Sequence, residues 1–255
     1  MVDQHHHDSR TTASRLTEHE PYWRRFGVHR ASEQASLPVI STGWPAIDRQ
    51  LPGGGYPLGA VTELLTARTG IGEFSLLLPC LAVRLHTRPQ GRIALVSPPS
   101  RLNAPALSMA GINPGQVPII RCRDNNERLW CIEQMARSGA FTAFVVWDND
   151  LDHTLLRRLQ LAAEQAVCPI FVYRDLAQAR QRSPAALRLA ITCPEDRQQI
   201  DVLKCRGPAG GRLSGLRATR DSAWQMPALA PNDIETHTAC NDHVACSAFS
   251  PLGAR

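Results

Sequence analysis

Three runs without a polar interruption constrain what this chain can fold into: RIALV at 92–96, AFVVW at 143–147 and IFVY at 170–173. A strand that is apolar on both faces must be covered on both, as in a parallel sheet with helices packed above and below. Between these runs lie segments of helical periodicity. NERLWCIEQMARSGA puts Leu129, Ile132, Met135 and Ala136 on one stripe and stops at Gly139, and LDHTLLRRLQLAAEQA is a second amphipathic helix. FSLLLPCLAVRLHT is apolar nearly all round and reads as a buried helix. Its Pro79 calls for a kink or a late helix start, because an interior proline costs about 3 kcal/mol. ALSMAGINPGQVPIIRC adds a helix, a cap at Gly111 and another strand. The alternation over short loops predicts a doubly wound α/β fold. LRLAITC and IDVLKCRG, facing each other across a turn near Glu195 and Asp196, add antiparallel strands at the carboxyl-terminal end.

The folded core so defined covers 37–226. Residues 1–36, rich in His, Arg, Ser, Thr and Glu, read as a mobile arm with a short anchoring segment at Tyr22, Trp23 and Phe26, and residues 227–255 read as a disordered tail. The longest apolar run, Phe74–Val83, is about half of the roughly 20 residues that cross a bilayer, so no membrane contact is expected. The amino terminus lacks the apolar stretch of a signal peptide, and the eight cysteines include no CxxC pair. Reduced thiols in the cytoplasm follow as the expectation.

Strand, glycine-bearing loop and helix succeed one another at TELLTARTGIGEFSLLLP, the frame of a phosphate-binding loop. A working loop uses backbone N–H groups to hold phosphates, a lysine to reach the β and γ phosphates and a hydroxyl to hold magnesium. Here Gly70 and Gly72 remain, but Glu73 stands at the lysine position and Phe74 at the hydroxyl position. A carboxylate a few ångströms from a phosphate charge is repelled by about 1 kcal/mol in water and about 4 kcal/mol at an effective dielectric of 20. At the start of a helix the same carboxylate is favoured by the dipole, so the loop carries an anion of its own. No cofactor and no catalysis are expected.

Asp148, closing the run FVVWD, stands where a magnesium-holding acid of the Walker B type would lie, but without the lysine and hydroxyl the reading it favours is an aspartate that caps the next loop. Asn149, Asp150 and Asp152 follow without His or Cys companions, so no metal site is read there. His237, Cys240, His243 and Cys246 carry zinc-type side chains at a uniform spacing that does not match paired ligand knuckles. Lys204, Arg206, Arg212, Arg217 and Arg220 crowd a glycine-rich stretch without an acid. Such a hairpin fits either a nucleic-acid backbone or a solvated rim of the sheet. The formal charge of +5 permits contact with DNA without requiring it. No Ser/His/Asp or Cys/His pair is marked out by its context.

ISTGWPAIDRQLPGGGYPLGAVTEL resembles the entry to the RecA recombinase core, with its buried Asp in a helix, a GGG-like turn and a hydrophobic-Glu strand, and NERLWCIEQMARSGAFTAFVVWD resembles the segment leading to Walker B. With ALRLAI and IDVLK the likeness covers about 37–220 and implies a RecA-like P-loop core. The departures are the degenerate loop, Ser-Pro-Pro after RIALV where a recombinase places its catalytic acid, and a DNA-binding loop shortened to DLAQARQRSPA after Tyr173 and Arg174. PGGGYPLGAVTELL followed by GIGE and LLLP is similar to the ImuA family of RecA-like accessory proteins in error-prone translesion synthesis. That resemblance implies a non-catalytic adaptor of a damage-induced mutagenic complex, partnered by an ImuB-type polymerase-like protein and an error-prone polymerase, with RecA as a further contact. LLLP and the later strand and helix pattern are also similar to SulA, which implies the alternative of an SOS division inhibitor that binds FtsZ.

Overall fold

The computed structural model describes residues 37–194 and 198–205, and the backbone of 213–217. A small antiparallel pair, β1 (Val39–Ile40) and β2 (Tyr56–Pro57), brackets the short helix α1 (Pro45–Asp48) at the entry. Asp48 ties this entry together by accepting from Ser41 Oγ at 2.6 Å, Thr42 N at 2.9 Å and Thr42 Oγ1 at 2.7 Å.

The main sheet takes its strands in the order β10-β9-β8-β3-β7-β6-β4-β5. These are β3 (Val61–Thr66), β4 (Arg92–Val96), β5 (Ile119–Ile120), β6 (Phe141–Trp147), β7 (Ile170–Asp175), β8 (Leu187–Thr192), β9 (Gln199–Cys205) and β10 (Leu213–Arg217). Pairings from β8 across to β5 are parallel, while β8 with β9 and β9 with β10 are antiparallel. The mostly parallel α/β sheet read from the apolar runs is therefore present, with its antiparallel strands at the carboxyl-terminal end.

Side-chain alternation along β6 shows why those runs had to be continuous. Ala143 and Val145 join a core with Leu77, Leu81 and Leu85 of α2 (Leu78–Thr87) and its approach, and with Leu107 of α3 (Ala104–Met109). Phe144 and Val146 point the other way, to Leu129 and Ile132 of α4 (Asn125–Ser138) and Leu156 and Leu159 of α5 (His153–Ala166). Each face has its own helices, so apolar side chains are needed on both.

Local signals set the helix ends. The Asp124 side chain accepts from Glu127 N and that of Asp152 from Leu155 N, each at 2.8 Å, capping α4 and α5. Gly139 closes α4 at φ 68°. Pro79 does not kink α2. The stretch Glu73–Leu76 forms a 3₁₀ turn, and α2 begins only at Leu78, which puts the proline in its first turn where the missing N–H is tolerated. Gly43 of the ISTG segment meets this proline: at φ +80°, an added Cβ would lie 2.2 Å from Pro79 Cβ. The glycine thus permits the close approach of two sequence motifs.

Glu63, fully buried in β3, is a carboxylate shared by two buried guanidiniums. Arg174 of β7 reaches its Oε1 at 2.7 Å, and Arg188 of β8 reaches its Oε2 at 2.5 Å. Arg174 also donates to Leu151 O, and Arg188 to the carbonyls of Gln178, Ala179 and Gln181, which fixes the segment after β7 against the sheet. Glu63→Ala leaves two buried cations without their anion, so we expect a loss of about 3–5 kcal/mol in urea unfolding. A loss below about 1 kcal/mol would show that the carbonyls alone suffice.

Burial pushes the thiols of Cys80 and Cys168 from an ordinary value of 9.0 up to about 12, against a smaller opposing pull from Arg84. The folded state therefore holds both protons more tightly than the unfolded chain. The resulting stability is fully present below pH 9 and is lost as the pH rises from 9 toward 12. Thiol labelling at neutral pH followed by peptide mapping should leave both residues unmodified until the protein is unfolded.

Candidate functional site

The carboxyl ends of β3, β7 and β6 lie side by side in that order, and the chain leaving β3 leads to α2 on one face of the sheet while the chain leaving β6 leads to α5 on the other. In open α/β sheets this is where ligands bind. The loop after β3 turns through Gly70 and Gly72, both at φ +82°, conformations that glycine adopts without penalty. Glu73 follows, and its side chain is folded back into the loop and is 7% exposed. Oε1 accepts from Gly70 N at 3.1 Å and Oε2 from Ile71 N at 2.9 Å. Two of the loop's backbone donors are thus engaged by a carboxylate two and three residues away in sequence.

Phe74 is half-buried against the core. Its ring packs on Trp147 at 5.9 Å, and Trp147 stacks on Tyr173 at 5.2 Å and 16° between planes. Tyr173 donates its hydroxyl to Glu73 O at 2.8 Å. Burial, with smaller contributions from Tyr56 and Glu73, raises the Tyr173 phenol well above its ordinary value, so it remains a donor. Gln198 donates to Ile71 O at 2.9 Å, and its side-chain nitrogen lies 3.0 Å from where a Cβ at Gly72 would stand. The helix-start position, the strand ends and the approach to β9 thus converge on one short loop.

Asp148, at the end of β6, is buried and serves two contacts. Its carboxylate pairs with Arg128 of α4, and Oδ1 accepts from Asp150 N at 2.8 Å. Arg128 further reaches Asn125 Oδ1 at 2.5 Å and Ser97 Oγ at 3.3 Å. Ser97, the first residue of Ser-Pro-Pro, sits in the left-handed region at φ 53°, which is uncommon outside glycine. The rest of the acidic loop has backbone partners: Asn149 Oδ1 accepts from Asp175 N at 2.7 Å and Asp152 caps α5. Among the described residues, no group of three or more His, Cys, Asp or Glu is arranged to hold a metal ion. His237, Cys240, His243 and Cys246 lie outside the described residues.

Of the basic stretch, Lys204 donates to Ser183 O at 2.6 Å. Arg217 contributes backbone to β10, while Arg206, Arg212 and Arg220 lie outside the described residues, as do the whole of 1–36 and 227–255. No described helix is long and apolar enough to cross a membrane. Sequence reasoning missed Arg128, Trp147 and Gln198 as site residues. Trp147 had a signal, an aromatic at the end of a buried strand, but the partners of Arg128 and Gln198 are distant in sequence and give none.

No family model matches this chain. Protein ImuA of Caulobacter vibrioides, strain NA1000 / CB15N, is 33% identical over 140 residues, which cover 53% of this chain and 57% of that protein. Protein ImuA of Caulobacter vibrioides, strain ATCC 19089 / CIP 103742 / CB 15, matches to the same extent. The chain is similar to ImuA. The chain spans about half the length of the curated relatives it matches. The likeness read from the glycine turn, GIGE and LLLP thus has a curated counterpart in ImuA.

If Asp148 serves Arg128 and the loop rather than magnesium, millimolar Mg²⁺ should leave the melting temperature unchanged. Asp148→Asn should then cost about 1–3 kcal/mol, because Arg128 loses its charge partner. A Mg²⁺-dependent rise in melting temperature that Asp148→Asn abolishes would restore the metal-holding role.

Proposed function

We propose that this protein is a non-catalytic RecA-like adaptor of the SOS-induced error-prone translesion synthesis complex. The observation that carries this reading is the Glu73 carboxylate on the loop's own N–H groups, backed by the Phe74–Trp147–Tyr173 stack. A nucleotide would have to displace a tethered anion, without a lysine at that position to compensate. The mostly parallel sheet, with its glycine loop after β3 and Asp148 after β6 on the two sides of β7, is compatible with a degenerate RecA-like P-loop core. The similarity to ImuA supports a place in the mutagenesis system beside an ImuB-type polymerase-like protein. An error-prone polymerase and RecA are the further contacts of this reading, and Lys204, Arg206, Arg212, Arg217 and Arg220 are its candidate contact with DNA. None of the described contacts favours a division inhibitor.

Two measurements test the reading together. Titration calorimetry with Mg-ATP should give no heat of binding, and an immobilised full-length chain should retain the polymerase-like partner at micromolar concentration. Heat of binding in the native protein would overturn the non-catalytic site, and failure to retain the partner would overturn the adaptor.

A further inference from the structure

Loops that cradle phosphates hold several N–H groups pointing at one place, an arrangement that an anion stabilises and that its loss leaves unsatisfied. In this chain the anion is covalently supplied. Gly70 N and Ile71 N each donate to a different oxygen of Glu73, whose side chain is removed from water. The carbonyl side of the same loop and of the turn after it is fastened as well, by donors from three other parts of the chain. Gln198 holds Ile71 O at 2.9 Å, Tyr173 holds Glu73 O at 2.8 Å, and Trp44 Nε1 holds Leu76 O at 3.1 Å. The first of these precedes β9, the second lies in β7 and the third in the turn before α1.

We infer that Glu73 acts as a tethered substitute for a bound anion and holds this loop in one closed arrangement whether or not nucleotide is present. The inference deepens the reading of the site as one that binds no nucleotide, and it concerns how the loop is regulated. A phosphate-dependent loop changes order as ligand comes and goes, and so passes that state to whatever docks beside it. A carboxylate attached to the loop has an effective concentration that does not change. The edge formed by the ends of β3, β6 and β7 is then a constant surface, and partners meeting it sense no ATP or ADP.

Hydrogen exchange on the full-length protein, followed through the amides of Gly70 and Ile71, tests this directly. In the native protein both amides should be protected, and saturating Mg-ATP should leave their exchange unchanged. Glu73→Ala should speed their exchange by at least about tenfold while β6 and β7 stay protected, and Glu73→Gln should fall between the two because one acceptor oxygen remains. Fast exchange in the native protein, marked slowing by Mg-ATP, or an Ala variant as protected as the native chain would each overturn the inference. Should Glu73→Ala lose protection throughout the sheet, the Gln variant and the native protein with and without Mg-ATP decide the matter. A chain that retains no polymerase-like partner yet keeps these amides protected loses the adaptor reading and keeps this one.

Discussion

Strand β3 lies between β7 and β8, and the carboxylate of Glu63 in its middle is bonded to a guanidinium from each neighbour. Everything at the strand ends depends on that strand staying in register. A buried ionic group is a poor source of net stability, because desolvation offsets most of the Coulomb attraction. It is a strong source of specificity here, since a shift of β3 by one residue would turn Glu63 to the opposite face and strand both arginines. The same arginines hold the carbonyls of Leu151, Gln178, Ala179 and Gln181, so the segments on either side of β7 are fixed by the charge that fixes the sheet.

On that scaffold the groups at the loop after β3 and at the end of β6 are engaged with one another and with their neighbours. Glu73 takes two of the loop's backbone donors, the ring of Phe74 joins a stack with Trp147 and Tyr173, and Asp148 is paired with Arg128. These contacts support one another: the Tyr173 that stacks on Trp147 also bonds the carbonyl of Glu73.

Much of this was legible locally. Continuous apolar runs gave both-face burial, Gly139 marked the end of α4, and Pro79 called for a kink or a late start, of which α2 has the second. Asp148 illustrates the boundary of such reading. Its place at a strand end admitted a magnesium ligand or a loop cap, and only the fold brought Arg128, twenty residues earlier, across to it. Glu63 and Arg174 lie 111 positions apart and Glu63 and Arg188 lie 125 apart, so no window of sequence joins them.

The sequence by itself determined the α/β alternation and an acid and a phenyl ring at positions 73 and 74, because periodicity and residue chemistry are local properties. The tertiary structure decided what those side chains meet. Which donors face the Glu73 carboxylate, which rings meet Phe74 and which cation answers Asp148 depend on the strand order, which puts β7 beside β3 and β6 next to β7 although the chain runs to β4 and β5 first.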